Sequence, residues 1–214
     1  AREKKAIIYY DPNFRSSHKN EAMKLAPTII ENLEYADIVR GSLEDFFYMY
    51  GLQDVDKIYK DKIKFYCPRF ICTAGGDKVS LRTNLVSKEY PIEPLEAVST
   101  IGAGDNFNAG LIYGLLKYDV RYRDLNNLNE EVWDKVVQCG KDFAAEVCRS
   151  FSNSVSVEFA GQYASNKADL YNFSFRALFH QKMCPFLTRK LLLTLANNRK
   201  GITTSNGNSY LCIT

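Results

Sequence analysis

Ser99-Thr100-Ile101-Gly102-Ala103-Gly104-Asp105-Asn106-Phe107 is the stretch whose reading organises everything around it. Its small residues crowd backbone N–H groups together just where a helix should begin. Downstream, Phe107, Leu111, Ile112, Leu115 and Leu116 fall on one helical face. The first N–H groups of a helix have no intrahelical acceptor, and the helix dipole is positive there, so a phosphate oxygen is the natural guest. Asp105 sits in that first turn, where a negative side chain is electrostatically favoured. A carboxylate beside a bound phosphate can also accept the proton of an attacking hydroxyl. Two other glycine loops fit poorly. A Walker A loop needs Lys-Ser/Thr after its last glycine, and Asp105-Asn106 stands there instead. A dinucleotide G-x-G-x-x-G needs a glycine where Phe107 stands.

Upstream, Val98-Ser99-Thr100 follows a loop with Pro91 and Pro94. Before it, Val79–Arg82 and Leu85–Tyr90 read as a hairpin around Thr83-Asn84. Three apolar runs read as short buried strands: Ala6–Tyr10, Ala36–Val39 and Phe70–Thr73. The first ends at Asp11-Pro12-Asn13 and the last at Ala74-Gly75-Gly76-Asp77, both turn compositions. Helices are predicted over 19–34, with Met23, Ile29, Ile30 and Leu33 among its apolar residues and Pro27 inside it, over 43–50 and over 54–62. Ser42 is the expected cap of the second, with Glu44 and Asp45 in its first turn and Gly51 closing it. A helix over about 130–150 carries Trp133, Val136, Val137, Phe143 and Val147. Strands alternating with helices predict an α/β fold with a mostly parallel sheet.

At 214 residues, 46% hydrophobic and 25% charged, the composition is that of a globular chain with material for a sizeable core. No apolar run is long enough to span a membrane, and no signal-peptide layout is present. The six cysteines form no C-x-x-C pair and only two histidines occur, so a zinc site is not expected. Scattered thiols fit a reducing, cytoplasmic setting. Residues 1–160 hold 21 Lys+Arg and 24 Asp+Glu, whereas 161–214 hold 7 and one, Asp169. After Ala160 the periodicity fades. Helices are conceivable within 176–179 and 187–196, and the Asn/Ser/Gly-rich 197–209 reads as disordered. We therefore expect residues 161–214 to be an atypical basic extension, partly disordered and without a part in folding. A basic tail that binds anions is the alternative.

These motifs resemble the ribokinase/PfkB carbohydrate kinases. Residues 100–107 match all but the first position of the family's D-T-x-G-A-G-D-x-F signature. Asp11-Pro12-Asn13-Phe14-Arg15 resembles its D-x-N-x-R, Ala36–Asp45 the segment bearing its N-x-x-E, Thr73–Gly76 its T-x-G turn, and Phe143–Cys148 its closing helix. The order is right across about residues 6–160. The resemblance implies a ribokinase-like three-layer α/β/α fold and ATP-dependent phosphorylation of a sugar hydroxyl, fructose or a ketosugar acid being suggested by the D-P-N-x-R branch. It makes Asp105 the base and the amides of Gly102, Ala103 and Gly104 an anion hole. Thr73, Gly75 and Gly76 would border the nucleotide, and Gly140 and Lys141 would flank the adenine. Asp11, Asn13 and Arg15 would lie toward the phosphate and substrate. Asp45, with Ser42 at the Asn position, would act indirectly on the magnesium network. ATP and Mg2+ are the implied cofactors, and the family leaves room for a homodimer, with neither nucleic acid nor membrane as partner.

Ser99 replaces the signature's first aspartate, a position tied to a monovalent cation in many members, which weakens the expectation of potassium activation. The chain also starts at a strand that lies mid-protein in the family. The resemblance therefore covers a C-terminal portion, without the N-terminal strands and lid that carry most sugar contacts. Two alternatives stay open: a nucleotide-binding fragment without turnover, or a nucleoside kinase of the same fold.

Overall fold

The computed structural model describes residues 5–163, 194–195 and 211–213. The chain divides into two compact units, one of residues 1–94, 119–133 and 187–214, the other of 95–118 and 134–186.

The first unit is built on a sheet. Strands β1 (Ile7–Tyr10), β2 (Ile38–Ser42) and β3 (Phe70–Ala74) run parallel, with Tyr9 opposite Ile38 and Val39 opposite Phe70. Strands β4 (Lys78–Arg82) and β5 (Ser87–Pro91) then return antiparallel. All four residues of β1 are buried, which is why its sequence is an unbroken apolar run and not an alternation. The 3-10 turn Ser16–Glu21 leads into α1 (Ala22–Tyr35), with Pro27 inside a continuous helix. Helix α2 (Leu43–Tyr50) starts as the sequence predicts. Ser42 Oγ accepts from the Asp45 amide at 3.1 Å, and Asp45 Oδ2 accepts from the Ser42 amide at 2.8 Å. Gly51 closes it at φ 69°, a left-handed conformation that glycine adopts without strain. Helix α3 (Val55–Ile58) continues as the π-helical turn Tyr59–Ile63. Under these helices lies a core with Tyr10, Phe14, Leu33, Phe46, Ile63 and Phe70. The thiols of Cys67 and Cys72 are enclosed too, and burial pushes both up to about 12.

Two local expectations are corrected. The apolar pattern puts Met23 and Ile30 on the buried face of one helix over 19–34, but they are 92% and 39% exposed. Met23 and Ile30 share one face of α1, about 100° round the axis from Ile29 and Leu33, so the buried stripe is Ile29, Asn32 and Leu33. Asn32 Nδ2 donates to the Tyr10 hydroxyl at 3.3 Å. In the hairpin, Leu85 and Val86 belong to the turn, because the Thr83 hydroxyl accepts from both of their amides, at 3.0 and 2.8 Å.

The second unit is helical. It holds α4 (Ala103–Lys117), α5 (Glu130–Cys148) from Asp134 onward, and α6 (Val157–Tyr163). A Cβ at Gly110 would stand 2.3 Å from the Cys139 carbonyl oxygen, so only glycine lets the α4 and α5 backbones come this close. Tyr113, Phe143, Phe159 and Tyr163 pack ring against ring, and the Tyr163 hydroxyl donates to Asp142 at 2.6 Å.

Helix α6 runs across Ala160. A short strand β7 (Leu211–Ile213) pairs antiparallel with β1 and parallel with β6 (Thr194–Leu195), giving the order β5-β4-β3-β2-β1-β7-β6. Apart from residues 194–195, which form a strand and not the expected helix, the expectations for 176–179, 187–196 and 197–209 fall outside the described residues.

Candidate active site

In the second unit the phosphate loop takes shape at the start of α4. Val98 is tied down first, its amide donating to the Cys148 carbonyl at 2.8 Å. Gly102 then caps α4 at φ 82°, a conformation that disfavours every residue with a Cβ. Its carbonyl accepts from the Asn106 amide at 2.9 Å and from Asn106 Nδ2 at 3.0 Å. The same Nδ2 donates to the Asn153 carbonyl at 3.0 Å, so the buried Asn106 side chain braces the loop against residues 150–154. Asp105 is half-buried in the first turn. One expected donor is already engaged: the Ala103 amide donates to the Thr100 carbonyl at 3.2 Å. Ala103 thus closes the turn, and the Gly104 amide follows it in the first turn of α4.

Gly140 belongs to the packing of α5 against α4. It is buried in α5, and a Cβ there would stand 2.9 Å from the Phe107 ring. The lack of a side chain there lets that aromatic pack. Lys141 next to it is half-buried.

In the first unit, the C-terminal ends of parallel strands gather polar groups, as open α/β sheets do where they bind ligands. Asp11 follows β1, with its Oδ1 accepting from the Asn13 amide at 3.1 Å. Asn13 takes φ 45°, which Asn tolerates better than most residues. Arg15 is exposed, and its amide donates to His18 Nδ1 at 3.4 Å. Thr73 is buried at the end of β3, while Gly75 and Gly76 are exposed in the β3–β4 turn, Gly75 at φ 56°. A side chain at either glycine would meet no neighbour within 4 Å.

Arg40 joins these groups. It is buried in β2, donating from Nη1 to Asp11 Oδ2 at 2.9 Å and from Nη2 to Thr73 Oγ1 at 2.8 Å. Burial opposes its charge, but Asp11 beside it holds the guanidinium above its ordinary value. Asp45 also feels this charge. Burial pushes the Asp45 carboxyl above the usual carboxylate range, although hydrogen bonds from Ser42 pull the other way. Asp45 Oδ2 accepts from the Ser42 hydroxyl at 2.6 Å as well as from its amide, so this oxygen is committed to capping α2. Among the described residues no group of three or more His, Cys, Asp or Glu could hold a metal ion.

Sequence reasoning missed Arg40 and Asn106. Arg40 stood inside a recognised motif, but a lone arginine after an apolar run reads as a strand end reaching solvent. Asn106 stood at one of the two variable positions of the glycine signature.

The fold places the chain among α/β proteins of the ribokinase-like type. A fructokinase of Xylella fastidiosa with bound ATP aligns with a TM-score of 0.63 and 19% identity, over 76% of this chain and 53% of that one. A Vibrio cholerae fructokinase variant crystallised with fructose, ADP and potassium aligns at 0.57 and 22%, over 77% and 49%. The aminoimidazole riboside kinase of Salmonella enterica, with its riboside and an ATP analogue, aligns at 0.56 and 19%, over 74% and 52%. A profile of the pfkB family carbohydrate kinases matches residues 1–159, and the chain belongs to that family. Fructokinases of Klebsiella pneumoniae and Rhizobium leguminosarum bv. trifolii are 31% and 30% identical over 116 and 110 residues. The chain aligns with 37% and 33% of their respective lengths. Among the described residues no helix is long and apolar enough to cross a membrane.

Proposed function

We propose that this chain carries the phosphoryl-transfer machinery of a fructokinase-type kinase, which moves the γ-phosphoryl of ATP to a sugar hydroxyl. The observation that carries this reading is the start of α4, where Gly102 holds a left-handed cap and Asp105 occupies the first turn. Asp105 takes the proton of the attacking hydroxyl as its oxygen bonds to the γ-phosphorus and the bond from that phosphorus to the bridging oxygen breaks, releasing ADP. The Gly104 amide and the positive end of α4 stabilise charge on the transferring phosphoryl group. Asn106 keeps this turn from relaxing through its bonds to Gly102 and Asn153. Thr73 and the open turn at Gly75-Gly76 border the nucleotide, and Asp11, Asn13 and Arg15 serve the phosphate and substrate side. Magnesium, when bound, neutralises phosphate charge, and Asp45 supports its network from within the α2 cap. The fructokinase likenesses favour fructose over a nucleoside as acceptor.

The test is calorimetry with Mg·ADP, followed by ADP release from ATP against a panel of sugars led by fructose. Asp105→Asn should lower turnover by about 10²–10⁴-fold while leaving nucleotide affinity within a few-fold. Loss of binding together with turnover would remove Asp105 from the role of base. The alternative, nucleotide binding without turnover, is separated by the same assay. Binding of Mg·ADP with no ADP release for any sugar would select it.

A further inference from the structure

We infer that Arg40 is a positioning residue that couples the Asp11 turn to Thr73, so that the substrate side and the nucleotide side of the first unit are held as one piece. The inference rests on the kinase reading above. Its basis is a single buried guanidinium with one nitrogen on Asp11 Oδ2 at 2.9 Å and another on Thr73 Oγ1 at 2.8 Å. These two acceptors follow or end different strands, β1 and β3, and Arg40 stands on β2 between them. The guanidinium fork is planar, so the directions of its two donors are fixed relative to each other. A shift of the Asp11 turn therefore changes the geometry offered to Thr73, and the reverse. Lysine would keep the charge but has no rigid fork to enforce that relation. A surface arginine would show none of this, because exposed ion pairs hold their partners loosely.

The test is a double-mutant cycle in Mg·ADP affinity. Asp11→Asn, Thr73→Val and their combination are measured in the wild-type chain and again with Arg40→Lys, each variant being checked for folding by thermal unfolding. With Arg40 present the two substitutions should be non-additive, on the order of fivefold. With Arg40→Lys they should become additive, although the retained charge keeps part of the affinity. Additivity in both backgrounds overturns the assignment. Thr73→Ser keeps the acceptor. If a double variant does not fold, Thr73→Val should weaken Mg·ADP binding several-fold where Thr73→Ser does not, and equal effects overturn the assignment as well. A wild-type chain that binds no Mg·ADP overturns the kinase reading, and this role falls with it. A wild-type chain that binds while the cycle stays additive removes Arg40 alone.

Discussion

Asp45 combines two demands on one carboxyl. Its Oδ2 caps α2 through Ser42, and the group is buried with its proton affinity raised above that of an exposed carboxyl. The consequence for stability has a definite sign. As pH climbs through the ordinary carboxylate range, the unfolded chain releases this proton first while the folded chain retains it. The folded state then binds more protons, so stability declines until Asp45 ionises at its raised value. Asp45→Asn keeps an acceptor for the Ser42 amide but cannot ionise. Urea midpoints measured from acid to neutral pH should show this part of the decline in the wild type and its loss in the variant. Equal slopes in both would show that Asp45 does not titrate differently on folding. At this scale the sequence was partly legible. Ser42, Asp45 and Gly51 announced their cap by residue type and spacing alone. Arg40 could not announce itself, since its importance depends on Asp11 and Thr73 arriving from strands about thirty residues away in either direction.

Elements were easier to read than their phase. All the strands and helices that frame the site were predicted near their observed places, because apolar runs and turn residues are local signals. Met23 escaped because it shares a face with Ile30, about 100° round α1 from Ile29 and Leu33, and an apolar run does not say which of its faces meets the core. The α4–α5 contact was likewise invisible. Gly110 and Gly140 look permissive in a sequence, yet each stands where the opposing helix fills the space of a side chain. Gly110→Ala gains helix propensity of about 1 kcal/mol but forces a methyl into the Cys139 carbonyl. We expect a net loss of about 2 kcal/mol or more in denaturant unfolding. The phosphate loop should feel the shift, since it opens the same helix, and Mg·ADP affinity should fall with stability. A variant as stable as the wild type would mean that the two helices can part freely.

For the molecule as a whole, family membership was legible because five motifs lie in order. The end of the folded region was not. Loss of acids after Ala160 suggested an appendage, whereas α6 continues to Tyr163 and Leu211–Ile213 borders β1. An apolar strand left at a sheet edge invites pairing with another chain. Truncation after Tyr163 removes that cover, and light scattering should show concentration-dependent self-association that the full chain lacks. A truncated chain that stays as dispersed as the full one would show that the β1 edge needs no cover.

The enclosed sulfurs carry a practical consequence. Cys67 and Cys72 are walled off within the first unit and resist ionisation, whereas Cys148 is only half-buried at the end of α5. A brief pulse of iodoacetamide should mark Cys148 quickly and the other two only when the sheet unit opens. Mass spectrometry of tryptic peptides then gives an intrinsic clock for the opening of the sheet unit, with Cys148 as its internal reference and no enzyme assay required.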